Sequence, residues 1–240
     1  MLYLIGTGLY GERDLSLRSL EAIKKCELVY LENYTNKINF DVKKIEKLID
    51  KEIIMAGREM LENNMEQFVE NAASKNVALL VAGDPLMATT HMAIVLEARK
   101  RKIEARIIHN ASVINAVADT GLSLYNFGKI ASIPRQNKNI TSPAEIAKRN
   151  KELGMHTLFL LDVNDGFMSV KEGIEYLMAN GIKDDMMIAC AGLGNEKQEI
   201  KAGKASKLIK ERFNQEPACL ILPGKMHFME EEAVKQWAIN

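Results

Sequence analysis

Gly83-Asp84-Pro85 interrupts the chain directly after an apolar run at 77–82. A run of that length suits a strand buried on both faces. Glycine admits backbone angles that other residues avoid, and Pro85 holds Asp84 extended while removing an amide donor. From about Thr90 to Lys102 the spacing turns helical. Strand, tight loop and helix make half of a βαβ unit, and open parallel sheets bind ligands outside the carboxyl ends of such strands. Asp84 thus stands where it could accept a hydrogen bond from a ligand or oppose a positive group. Taken alone, the tripeptide equally describes a strand-to-helix turn with Asp84 as the helix cap.

A second candidate lies near the start of the chain. Gly6-Thr7-Gly8-Leu9-Tyr10-Gly11 matches G-x-G-x-x-G after an apolar run at 2–5, and Glu32 ends a second run where a ribose-binding acid would stand. On pattern alone this is a dinucleotide site. A pyrophosphate, however, needs a helix N-terminus with free amides and an unopposed dipole. Glu12 and Asp14 fall where the first helix should begin, and an aspartate cap would occupy those amides and repel phosphate. Arg13 offers little compensation. The loop suits a neutral or cationic ligand better, so a nicotinamide-dinucleotide-dependent dehydrogenase is the minority reading.

Of the four histidines, His91 and His109 lie near these loops. A lone histidine is more often a hydrogen-bonding structural group than a base, so no catalytic residue is assigned. The three cysteines, Cys26, Cys190 and Cys219, have no metal-ligand spacing and read as buried thiols in a reducing compartment. Lys plus Arg and Asp plus Glu each number 32, and a formal net charge of zero gives no long-range pull toward nucleic acid or anionic lipid. No apolar stretch approaches membrane-spanning length, and the start of the chain lacks the features of a signal peptide. A cytoplasmic protein is expected.

The elements that must position these loops follow from periodicity. At 240 residues the chain can bury a sizeable core in one large domain or two smaller ones. Short apolar runs at 2–5, 28–31, 53–55, 77–82 and 105–108 alternate with helical spacing after Asp14 and over 41–50, 64–74 and 90–102. A further helix follows His109-Asn110-Ala111-Ser112 and ends near Gly121. This alternation implies an α/β fold with a mainly parallel sheet and helices on its faces. Periodicity lapses over 122–129, which places a boundary between domains 1–124 and 125–240. The second half reads as strands at 130–133, 157–161, 186–191 and 219–222. Its helices open at Ser142-Pro143, with serine at the cap, and cover 169–179, most of 203–213 and a short stretch to Trp237. Residues 135–142 read as an exposed polar loop.

Three strings together resemble the diphthine synthases, a family within the tetrapyrrole-methylase-like class of S-adenosylmethionine-dependent methyltransferases. They are Gly6-Thr7-Gly8-Leu9-Tyr10-Gly11-Glu12-Arg13-Asp14-Leu15-Ser16, Gly83-Asp84-Pro85-Leu86-Met87-Ala88-Thr89-Thr90-His91 and His109-Asn110-Ala111-Ser112. The similarity extends to Phe159-Leu160-Leu161-Asp162-Val163 and Pro223-Gly224-Lys225-Met226-His227, and so covers nearly the whole chain. The resemblance implies two α/β domains with mainly parallel or mixed sheets, the cofactor S-adenosyl-L-methionine in the cleft between them, and a homodimer. The implied cofactor contacts are Leu9, Asp84, Met87, Ser112, Val113, Leu161, Leu193 and Ala218. The implied substrate is translation elongation factor 2, methylated on the amine of a 3-amino-3-carboxypropyl-histidine. Residues 135–142, with Arg135 and Lys138, are expected beside the cleft mouth, in contact with that protein.

The residue types suit this chemistry. Leu9, Met87, Val113 and Leu161 could wall an adenine while a few polar groups fix its orientation. Methyl transfer to an amine is an in-line displacement that requires no metal, and orientation alone can contribute up to roughly 7–11 kcal/mol. Two other readings stay open: a methyltransferase acting on a porphyrin-like precursor, and a non-enzymatic binding module that keeps the fold.

Overall fold

The computed structural model describes residues 1–35, 41–136, 138–164 and 166–239; Asn137 of the 135–142 loop lies outside the described residues. The chain divides into two compact units, Met1–Ile114 and Asn115–Asn240.

The first unit runs β1 (Leu2–Gly6), α1 (Leu17–Lys24), β2 (Leu28–Glu32), α2 (Val42–Ile49), β3 (Ile54–Ala56), α3 (Met65–Ser74), β4 (Val77–Val81), α4 (Met92–Lys100) and β5 (Ala105–Ile108). Its five strands lie in the order β3-β2-β4-β1-β5, and every pairing is parallel. Alternate side chains of the central strands go to opposite faces. Leu2, Leu4, Leu79 and Val81 join Phe68 and Ile94 from α3 and α4 in one core layer. Ile5, Ala78 and Leu80 join Ile23 from α1 and Ile45 from α2 in the other. Burial on both faces explains why β1 and β4 read as unbroken apolar runs.

A short helix α5 (Val113–Ala116) follows the loop after β5. The second unit then contains β6 (Ala131–Ile133), α6 (Ser142–Glu152), β7 (Thr157–Leu161), α7 (Val170–Ala179), β8 (Met186–Ala191), β9 (Glu199–Lys204), α8 (Ala205–Leu208), β10 (Ala218–Leu222) and α9 (Phe228–Lys235). Its sheet has the order β6-β7-β10-β8-β9. Only β6 and β7 pair parallel; β10 runs antiparallel to β7 and β8, and β9 to β8. The fold is therefore α/β with one parallel and one mixed sheet.

Two readings of the second half need correction. Residues 199–204, partly expected to be helical, form strand β9, and helix covers only Ala205–Leu208 of the 203–213 stretch. Ile200 and Ala202 point inward, and Ala202 exchanges backbone hydrogen bonds with Trp237 and Ile239, so tertiary pairing covers this strand. Thr141 occupies the cap position of α6, and Ser142 is already helical.

The Pro223–His227 string ends in a buried hub. Glu230 Oε2 accepts from the His227 amide, while Oε1 accepts from the Ser123 amide and the Asn126 side chain, at 2.8, 2.8 and 3.1 Å respectively. His156 Nδ1 accepts from the Gly224 amide, so Nε2 carries the proton and donates to Glu230 Oε1 at 3.3 Å. Burial would raise the Glu230 carboxyl, but these donors outweigh it and hold the pKa at about 2.

Candidate active site

In the first unit, β1 lies between β4 and β5, so the loops leaving their carboxyl ends converge. These loops hold Gly6–Gly11, Gly83-Asp84-Pro85 and His109-Asn110-Ala111-Ser112. The first two meet backbone to backbone: the Gly8 amide donates to Gly83 O at 3.1 Å, and the Gly83 amide to Gly8 O at 2.8 Å. Gly8 adopts φ +74°, and a Cβ on it would stand 2.4 Å from Asp14 Cβ. A Cβ on Gly6 would stand 2.5 Å from Gly83 O. Both positions require glycine because the chains approach too closely for a side chain.

The acid expected to cap the first helix does something else. Ser16 caps α1, its hydroxyl accepting from the Ser19 amide at 3.1 Å. Asp14 instead closes the glycine loop, its Oδ2 accepting from the Leu9 and Tyr10 amides at 2.8 Å each. The physical conclusion is unchanged: amides that would cradle a pyrophosphate are taken by a carboxylate. Glu32 is likewise committed, accepting from the amides of Tyr34 and Thr35 and from the Thr35 hydroxyl.

Asp84 is buried and fully engaged. Oδ1 accepts from the Leu86 amide at 2.9 Å; Oδ2 accepts from the Asn110 amide at 3.1 Å and lies 2.8 Å from His109 Nδ1. Asn110 carries no assignment from the sequence, yet its Nδ2 donates to both Gly6 O and Asp14 O, joining the loops after β5 and β1. Its one signal is its place in the His-Asn-Ala-Ser string. Beyond Asp84, Ala88 takes φ +58°, unusual for a residue with a Cβ. Thr89 Oγ1 donates to Pro85 O at 2.6 Å, and His91 Nδ1 reaches the same carbonyl at 3.2 Å, so the turn carrying Met87 is clamped from behind.

The expected contacts fall at strand ends. Leu9, Asp84, Met87 and Ser112 lie in the three converging loops of the first unit, and Val113 opens α5 directly after the third. Asp84 and Ser112 are buried, whereas the Met87 side chain is 47% exposed. In the second unit Leu161 ends β7, Leu193 follows β8 and Ala218 opens β10. Because β10 is antiparallel to both neighbours, its start lies beside their ends, and Ala218 pairs with Ala191. These three therefore gather at one edge of the second sheet. No group of three or more His, Cys, Asp or Glu side chains among the described residues could hold a metal.

This arrangement, glycine loops cradled by a Gly-Asp-Pro turn above a parallel sheet, agrees with the comparisons. The Tetrapyrrole (Corrin/Porphyrin) Methylases profile matches residues 1–209, and the chain belongs to that family. It is an S-adenosylmethionine-dependent methyltransferase. Within the family the chain is similar along its whole length to diphthine synthases. It is 39% identical over 256 residues to the diphthine synthase of Methanocaldococcus jannaschii, covering 100% of each chain. It is 38% identical over 249 residues to that of Methanococcus maripaludis, covering 98% of each. A diphthine synthase crystal structure superposes with a TM-score of 0.93 at 35% identity, covering 99% of this chain and 96% of the other. A putative diphthine synthase from Entamoeba histolytica gives a TM-score of 0.90, also at 35% identity, covering 100% and 99%.

Proposed function

We propose that the protein is a diphthine synthase, methylating the amine of the 3-amino-3-carboxypropyl-histidine of translation elongation factor 2. The observation that carries this reading is the full-length similarity to diphthine synthases together with the three tied loops in the first unit. The residues fit S-adenosyl-L-methionine: glycines leave room for close approach, and Leu9, Met87 and Val113 offer apolar surface beside the Ser112 hydroxyl. When bound, the cofactor supplies an electrophilic methyl group on a sulfonium. The chain's contribution is geometric. Asp84 and Asn110 hold the loops in register, Thr89 and His91 hold the Met87 turn, and a rigid site aligns donor and acceptor. Leu161, Leu193 and Ala218 are proposed to complete the contacts.

Among the described residues no helix is long and apolar enough to cross a membrane. A homodimer acting in the cytoplasm, with elongation factor 2 as its protein substrate, completes the proposal. Mass spectrometry of elongation factor 2 carrying the 3-amino-3-carboxypropyl group, after incubation with enzyme and S-adenosylmethionine, tests it. A gain of methyl groups on that residue, and none on uroporphyrinogen, is expected; the reverse would overturn it.

A further inference from the structure

Asp84 does more than join two loops, because one of its partners is an imidazole open to solvent. The Asp84 side chain is 3% exposed and that of His109 is 63% exposed, with Oδ2 lying 2.8 Å from Nδ1. The carboxylate already accepts the Leu86 and Asn110 amides, and it accepts from His109 as well. Nδ1 therefore carries the ring proton, and Nε2 keeps a lone pair. A ring that turns Nδ1 inward to a buried acid turns Nε2 outward. Among the described residues nothing bonds to Nε2. Neighbouring acids and bases are otherwise engaged. Asp14 accepts the Leu9 and Tyr10 amides, and His91 is 1% exposed with Nδ1 on Pro85 O. His109 joins an orienting carboxylate to an accessible basic atom, in the loop after β5 that also carries Ser112.

The proposed reaction needs such an atom. An α-amine is largely ammonium at pH 7, and an ammonium has no lone pair with which to attack a methyl group. We propose that His109 is the general base of the reaction, Nε2 taking the proton of the substrate amine while Asp84 holds the ring. The inference rests on the functional proposal, which supplies the amine. In the step an N–H bond of the ammonium breaks and its proton passes to Nε2. The nitrogen lone pair so released forms the bond to the methyl carbon, and the electrons of the methyl–sulfur bond go to sulfur, leaving a neutral thioether. Asp84 fixes the tautomer that presents Nε2 and stabilises the imidazolium, which returns its proton to water. Each methylation leaves the nitrogen positively charged, so the same proton removal precedes every further methyl group.

His109→Asn separates the base from the tie between loops, because its amide keeps a donor near the place of Nδ1 and puts nothing at Nε2. Its melting temperature and its affinity for S-adenosylhomocysteine should match wild type, while kcat on elongation factor 2 falls by about a hundred-fold. His109→Ala should lose rate similarly and regain part of it as imidazole is added, in proportion to the unprotonated form present. Nitrogen NMR of the histidine-labelled protein needs no turnover, and with the His109 signals assigned from their loss in His109→Asn it should show Nδ1 protonated and Nε2 bare. A His109→Asn protein with wild-type kcat, or a wild-type ring protonated at Nε2, would overturn the base and leave the methyltransferase reading intact. A loss of S-adenosylhomocysteine affinity as large as the loss of kcat would overturn it too, by making His109 a brace for the cofactor loops. Wild-type protein that leaves elongation factor 2 unmethylated would overturn both the function and the base.

Discussion

Asp84 Oδ2 lies 2.8 Å from His109 Nδ1 while accepting the Asn110 amide, so one buried carboxylate ties the loop after β4 to the loop after β5. Removing it orphans the Leu86 and Asn110 amides. Asp84→Ala should therefore destabilise the protein by about 1–3 kcal/mol and, by releasing Met87 and Ser112, weaken S-adenosylhomocysteine as well. His109→Ala should cost less than about 1 kcal/mol, because the His109 side chain is 63% exposed. Urea midpoints and calorimetric affinities on the two variants check this. An Asp84→Ala protein of unchanged stability would show that the tie does not hold the loops.

Cofactor choice follows from the glycine loop. With the Leu9 and Tyr10 amides already accepted by Asp14, S-adenosylhomocysteine should stabilise the fold, by about 2.7 kcal/mol at one hundred times its dissociation constant. NAD should leave the melting temperature unmoved. Micromolar binding of NAD with none of S-adenosylhomocysteine would refute the assignment.

How far the sequence leads is clearest from where it stops. β1 and β4 are legible because strands buried on both faces are apolar throughout, and the loops at their ends follow. Asp14 reads correctly as an amide-blocking acid, but its partner is the glycine loop and not the helix. Sequence spacing does not tell a helix cap from a residue that folds back on the preceding loop, and Ser16 takes the cap. Residues 199–204 do not read as a strand because Lys201, Gly203 and Lys204 hide the alternation of Ile200 and Ala202, and only the partners at Trp237 and Ile239 make it one.

The buried hub in the second unit predicts an acid-sensitive stability. Glu230 is held at about 2, below its ordinary value of 4.5, so its contribution is complete above about pH 4.5 and is lost as pH falls toward 2. The shift corresponds to roughly 3 kcal/mol at pH 7, more than half of it gone by pH 3. Glu230→Gln should be markedly less stable than wild type at pH 7, with the gap narrowing at pH 3. Urea midpoints at the two pH values measure it, and a gap independent of pH would mean that the carboxylate's charge is not what stabilises the hub.

The polar 135–142 loop separates bracing from recognition. The Arg135 amide donates to Asp162 Oδ2 at 2.9 Å, and its guanidinium to Glu172 Oε1 at 3.0 Å and Phe167 O at 2.7 Å, so this residue also fastens its loop to the stretch from the end of β7 into α7. Lys138 is exposed. If the loop contacts elongation factor 2, as expected from its sequence, Lys138→Ala should raise KM for that protein without changing stability or cofactor affinity. Arg135→Ala should raise KM too, but with a loss of about 1 kcal/mol from the broken side-chain contacts. Glu172→Gln offers the control, since it weakens the Arg135 brace without removing a positive charge from the surface. Matching KM increases in Arg135→Ala and Glu172→Gln, with Lys138→Ala at wild-type values, would show that the loop acts by its shape and that its charges do not meet the substrate.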